Sequence, residues 1–270
     1  MEIVPAAIAK LRHNRTSCVL RTAAAVIHAL IVGASQGIGL GFVQYLLQQQ
    51  TTAQVYATYR SPHSAGNLLA IADDRLTCLP VDLTDETQIE EAIAHISCTT
   101  PSLHLVVNCV GLLHDGDLQP EKSLRQINRE HLLRYFEVNS IGAILLAKHL
   151  LPLLSHSDRS VFATISAKVG SIGDNYSGGW YGYRASKAAL NMFMHTAAIE
   201  YQRKRAKTIL VTLHPGTTDT RLSKPFQRSV PPEKLFSCDR TVQQLMDVID
   251  NLDTVNSGGF FSWDGSPLPW

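Results

Sequence analysis

The chain has 270 residues, 45% of them hydrophobic and 17% charged, which suffices for one sizeable globular domain with a well-buried core. A formal net charge of +1, with no long basic or acidic block, argues against nucleic acid or an acidic membrane surface as the main partner. Five cysteines (Cys18, Cys78, Cys98, Cys109, Cys238) form no Cys-x-x-Cys and eleven histidines show no His-Glu-x-x-His, so neither a disulfide framework nor a metal site is expected and a reducing compartment, the cytoplasm, fits.

Residues 1–24 set Lys10, Arg12, Arg15 and Arg21 against one acid, Glu2, without a clear hydrophobic period. Such a segment is either a transit peptide for an organelle, or a disordered extension or start codon placed too early. No apolar region there ends in a small-residue cleavage site, so a secretory signal is not expected. The domain is read as 25–270. Its longest apolar run, Ile141 to Leu154, is interrupted by Lys148 and His149 and falls short of the ~20 residues that span a bilayer. No membrane span is expected.

From Val26 onward, short β-branched runs alternate with helical patterns. Strands are predicted at 26–32, 54–59, 76–81, 103–110, 160–165, 208–213 and 259–262, and helices at 37–49, 84–96, 127–154, 181–204 and 239–252. Strands separated by helix-length segments predict an α/β fold, a doubly wound Rossmann-type parallel sheet in a single domain.

The first strand-to-helix turn reads Gly33-Ala34-Ser35-Gln36-Gly37-Ile38-Gly39. Glycines there let the backbone turn tightly and approach a pyrophosphate, which the free N–H groups of a helix N-terminus favour. The second strand ends at Tyr59-Arg60, where dinucleotide-binding folds carry an acid for the ribose hydroxyls. Without that acid, Arg60 is available to pair with a 2′-phosphate, which favours NADP(H) over NAD. Asp82, ahead of Leu83, either reaches the adenine amino group or caps a turn.

Tyr183 and Lys187 lie four residues apart at the start of a predicted helix and so share a face. A phenol's pKa is about 10, and a neighbouring ammonium is expected to lower it toward the working range of an acid/base catalyst.

These residues together resemble the short-chain dehydrogenase/reductase family from about residue 26 to the end. Gly33, Gly37 and Gly39 match its cofactor glycines, Asn108 and Gly111 its element after the fourth strand, and Asn139, Ser166, Tyr183 and Lys187 its catalytic set. Pro215, Gly216, Thr218 and Thr220 fall in its nicotinamide-carboxamide turn. Three departures stand out: Val32 where Thr is usual, Cys109-Val110 for Asn-Ala, and a longer gap between Ser166 and Tyr183. That insertion and the C-terminal Phe260–Trp270 segment resemble the C-factor and sniffer-type carbonyl reductases.

The resemblance implies an NADP(H)-dependent oxidoreductase acting on a small carbonyl or secondary alcohol, assembled as a homodimer or homotetramer. In it Ser166 holds the substrate oxygen, Tyr183 exchanges a proton with it, Lys187 tunes Tyr183 and binds the ribose, and Asn139 anchors a water. The region after Gly216, around Arg221 to Val230, is expected to form a mobile lid that sets substrate choice. A signalling or redox-sensing module that binds the cofactor with little turnover is the alternative, and an NAD-dependent enzyme the nearer rival.

Overall fold

The computed structural model describes residues 26–204 and 206–270, so the reading of 1–24 lies outside the described residues. Seven parallel strands form one sheet: β1 (Ile27–Val32), β2 (Thr52–Tyr59), β3 (Leu76–Pro80), β4 (Leu105–Asn108), β5 (Ser160–Ile165), β6 (Thr208–His214) and β9 (Phe260–Ser262). Their order across the sheet is β3-β2-β1-β4-β5-β6-β9. A two-stranded pair of β7 (Thr217–Thr218) and β8 (Leu235–Phe236) stands apart.

Alternation along the strands supplies two cores. In β1, Ala29 and Ile31 face one side, where they join Phe42, Val43 and Leu46 of α1 (Gly37–Gln48) and Leu245 and Ile249 of α7 (Cys238–Asn251). Leu30 and Val32 face the other, against Ile89 and Ile93 of α3 (Glu86–Thr99), Leu146 and Leu150 of α5 (Gly142–Leu154), and Leu190 and Met194 of α6 (Tyr181–Arg203). A sheet covered on both faces needs runs that are apolar throughout, and β5 is buried at every position.

The predicted helix 127–154 is interrupted. It consists of α4 (Arg129–Phe136), a π-turn at Glu137–Ile141, and α5. Taken whole, the stretch Arg129–Leu154 is long and apolar enough, by length and composition, to cross a membrane. Its apolar face is nevertheless spent inside the protein, with Leu146, Leu150, Leu153 and Leu154 in the core. The short helix α2 (Gly66–Leu69) and strands β7 and β8 escaped the sequence pattern because two to four residues show no period.

The strand order reverses beside β1. Chain leaving β1 turns toward β2, whereas β4 lies on its other flank, with Val32 in register with Asn108. The carboxyl ends of β1 and β4 therefore border a crevice, the place where open parallel sheets bind ligands.

Candidate active site

On one side of that crevice is the glycine turn. Gly33 has φ 77, and a Cβ on Gly39 would lie 2.3 Å from the Gly33 carbonyl oxygen. No side chain fits there, so α1 begins directly against the turn. Thr58 of β2 anchors it: Gly33 N donates to Thr58 Oγ1 at 3.1 Å and Ala34 N to Thr58 O at 2.7 Å. Gln36 precedes α1 without a side-chain cap, and no acid occupies the first turn. The positive end of the helix dipole and its N–H groups thus remain available to an anion. Half-buried Ser35 and Ile38 and exposed Gln36 line the same turn. These features fit a dinucleotide pyrophosphate.

Arg60 is exposed at the end of β2 and makes no ion pair among the described residues. Asp82 caps its turn with one oxygen, Oδ1 accepting from Thr84 N at 3.0 Å and Thr84 Oγ1 at 2.9 Å, and its Oδ2 takes no hydrogen bond among the described residues. Burial pushes its carboxyl upward, but those bonds and the charges of Arg60 and Arg134 outweigh it, leaving the pKa below the ordinary value. Leu83 is buried, and a Cβ on Gly142 would come within 2.8 Å of its Cβ.

Across the crevice, Asn108 is buried and its Oδ1 accepts from Val110 N at 3.1 Å. A Cβ on Gly111 would stand 3.6 Å from Lys187 Nζ, 3.7 Å from Leu222 Cδ1 and 3.9 Å from Asn139 Oδ1. Gly111 therefore marks where four separate segments converge. The π-turn delivers Asn139 there, a use such turns often have. Both of its amide protons are engaged: Nδ2 donates to Leu112 O at 2.9 Å and Ser186 Oγ at 3.0 Å, while Oδ1 accepts from Leu112 N at 2.7 Å and keeps a second lone pair. This amide braces the backbone beside Lys187.

Lys187 is 2% exposed, and its Nζ donates to Ile165 O at 2.9 Å. Burial pulls its pKa down to about 8, with Cys109 opposing that shift. Tyr183 is 6% exposed, and Lys187 Nζ stands 6.0 Å from its ring centre. The expected lowering of the Tyr183 pKa is overturned in the free protein. Burial raises it instead, because a phenolate away from water costs more than a distant amine repays. A raised phenol stays protonated at neutral pH, which suits a proton donor. Tyr181, at 37% exposure, points elsewhere.

Ser166 departs most from expectation. Its hydroxyl is buried and donates to Asn191 Oδ1 at 2.7 Å. Asn191 sits roughly two turns past Tyr183 on α6, away from the phenol. The next residue, Ala167, packs against the cluster that holds Tyr183, and successive residues leaving a strand face opposite ways. In this geometry the Ser166 hydroxyl is bound to Asn191, whose Nδ2 is buried without a partner.

Beyond β6, Pro215 is buried and Gly216 has φ 73, its absent Cβ making room for the Phe236 ring at 2.6 Å. Thr220 reaches the glycine turn, its Cγ2 lying 3.2 Å from where a Cβ on Gly37 would be. Thr218 instead turns inward, its Oγ1 sharing a 2.8 Å bond with Thr241 Oγ1. Leu222 and Phe226 then pack over Tyr183 with Trp180, Leu113 and Leu118.

The reading from sequence missed Thr58, Ser186, Asn191, Glu121 and Trp180. Asn191 follows Lys187 by one helical turn and Ser186 follows Tyr183 by three residues, so helix spacing offered a signal for both. Glu121 binds Gly182 N from 61 residues away, for which no local signal exists.

The model of the short chain dehydrogenase family matches residues 27–230. The chain belongs to that family of oxidoreductases, which use a nicotinamide cofactor. Its fold superimposes on an NADPH-bound carbonyl reductase from chicken fatty liver with a TM-score of 0.81 and 29% identity, covering 91% of this chain and 100% of the other. Carbonyl reductase Sniffer of D. melanogaster gives 0.80 and 28%, over 91% of this chain and 100% of the other. The C-signal of Myxococcus xanthus is 30% identical over 148 residues, 55% of this chain and 84% of that protein.

Proposed function

We propose that the chain is an NADP(H)-dependent carbonyl reductase, moving hydride between the nicotinamide and a carbonyl or secondary alcohol. One observation carries the reading: the buried Lys187 of α6 meets Gly111 at the switch point of the sheet, with the buried Tyr183 one turn before it and its ring centre 6.0 Å from Lys187 Nζ. When bound, the nicotinamide supplies the hydride. Tyr183, protonated because it is buried, gives its proton to the substrate oxygen as that oxygen gains charge, and takes one back in the reverse direction. Lys187, steadied by Ile165 O, is placed to hold the nicotinamide ribose.

Gly33, Ser35, Gln36, Gly37, Ile38 and Gly39 would hold the pyrophosphate, and Asp82 and Leu83 the adenine. Asn108, Gly111, Pro215, Gly216 and Thr220 would border the nicotinamide, with Thr218 contributing backbone alone. The exposed, unpaired Arg60 supports a 2′-phosphate and hence NADP(H), as does NADPH in the chicken reductase. A homo-oligomer agrees with exposed Met192 and Ile199, seven residues apart on one face of α6.

The test is oxidation of NADPH and of NADH by the purified chain across aldehydes, ketones and quinones. NADPH turnover above NADH on part of the panel is expected, and NADH preference or no turnover would refute the assignment. The binding-module reading is favoured by one observation, the engagement of Ser166 with Asn191. NADPH binding without turnover on any carbonyl would select it.

A further inference from the structure

Away from the crevice, a cleft of about 520 Å³ opens at the far edge of the sheet, between α7 and the turn that follows β9. Three strand spacings of ~4.8 Å separate β9 from β4, so this cleft and the cofactor crevice are distinct places. Its volume lies in the range of small-molecule sites.

One wall is a stripe of α7. Gln244, Asp247 and Asn251 recur at helical spacing and share a face with Val248. Asp247 is exposed, and its Oδ1 accepts from Gln243 Nε2 at 2.9 Å. The opposite wall is the turn 262–265, in which Gly265 N donates to Ser262 O at 2.9 Å. Gly265, at φ 80, brings that turn against α7: a Cβ on it would lie 3.9 Å from Val248 Cγ2. Within the turn Asp264 Oδ1 accepts from Ser266 Oγ at 2.6 Å and Ser266 N at 3.1 Å, bonds that lower the pKa of its carboxyl. Half-buried Phe261 and Trp263 add aromatic surface to the lining.

The chemistry of this lining selects charge. It carries two carboxylates and no lysine, arginine or histidine. The cations beside it are held elsewhere: Arg159 donates to Ile249 O at 2.6 Å and Leu252 O at 3.1 Å, and the Arg240 guanidinium lies 3.8 Å over the Phe236 ring. Gln244 Oε1 is buried without a partner, an acceptor in want of an N–H. No group of three His, Cys, Asp or Glu side chains able to hold a metal ion occurs among the described residues, which points to an organic cation.

We infer that the cleft is a second binding site, for a small protonated amine carried on an apolar body. Asp247 and Asp264 draw the ammonium, which gives an N–H to Gln244 Oε1. The body lies on Phe261 and Trp263, the indole being the side chain whose face attracts a cation most. Binding there needs neither cofactor nor substrate.

The test is calorimetric titration of the full chain, without cofactor, with 2-phenylethylamine and with 2-phenylethanol, which has the same body and no charge. The amine should bind about fivefold to thirtyfold more tightly, the worth of a cation set against carboxylates and an aromatic face. Asp247→Asn and Asp264→Asn keep the acceptors for Gln243 and Ser266 and remove only the charge. Each should weaken the amine about twofold to fivefold, and added salt should weaken it as well. Should one variant not fold, the other decides together with the salt series. Equal affinity for amine and alcohol, or an amine affinity that neither substitution changes, would overturn the inference. With no nucleotide in the titration, either result leaves the oxidoreductase reading as it stands.

Discussion

The two halves of the site are made of different materials. The cofactor cradle, from Gly33 to Gly39 and Asn108 to Gly111, is shaped by backbone and by missing side chains, and its key contacts are to Thr58 on the neighbouring strand. The substrate side is shaped by side chains that arrive from far apart: Tyr183 and Trp180 from α6 and its approach, Phe226 from the segment after β6, and Glu121 from between β4 and α4. A cradle built of backbone depends on local turns, whereas the surroundings of Tyr183 depend on how distant segments pack.

Tyr183→Phe breaks the substrate side alone, and there the expected effect is largest. The chemical step should slow by about 10² to 10⁴ while NADPH affinity holds, since only the proton donor is lost. Tyr181→Phe, at the exposed neighbour, is the control and should be mild. Equal behaviour of the two variants would remove Tyr183 from the chemistry.

Arg60→Ala breaks the cradle side. Loss of a charge-assisted contact worth roughly 1.5 to 3 kcal/mol should weaken NADPH about tenfold to hundredfold and leave NADH unaffected. Titration of each cofactor by fluorescence measures this, and an equal loss for both would show that Arg60 does not meet the 2′-phosphate.

Ser166→Ala sharpens the boundary between the halves. With its hydroxyl on Asn191, the serine contributes about 1 kcal/mol to packing, and kcat should change by only a few-fold. A loss as deep as that of Tyr183→Phe, at unchanged melting temperature, would place Ser166 on the substrate after all.

The smallest effect is a slope in stability. Lys187 has its pKa depressed to about 8 from 10.5, so between those values the unfolded chain binds more protons than the folded one. Stability therefore rises with pH across that window, because the buried lysine is already neutral there and the unfolded state's preference for its proton weakens. In Lys187→Met the contribution disappears, so the melting temperature of the unaltered protein relative to the variant should climb from pH 8 to pH 10.5. A flat difference would mean that Lys187 is solvated in the folded state.

Much of the cradle was legible in the sequence because its constraints are local. Three glycines in one turn, Arg60 at a strand end and Tyr183 one helical turn from Lys187 all follow from spacing. The parallel sheet followed likewise from alternating strands and helices. Burial was not legible, and it reversed the direction expected for Tyr183. Nor was the partner of Ser166, since whether a strand-end hydroxyl faces Tyr183 or Asn191 depends on how α6 lies across the sheet. Gly178 and Gly179 signalled a turn, but the left-handed backbone of Trp180 after them, at φ 54, donates to the carbonyl of Glu121, which reaches it through tertiary structure alone.

Tyr183 and the cofactor are tested most directly in a single turnover, in which the protein is mixed with NADPH and a reducible dione and the nicotinamide absorbance is followed. The decay should slow when the transferred hydrogen of NADPH is deuterium, and slow again in D₂O because the Tyr183 proton moves as well. NADPH that binds, as fluorescence reports, yet keeps its absorbance in the presence of the dione would contradict the oxidoreductase reading.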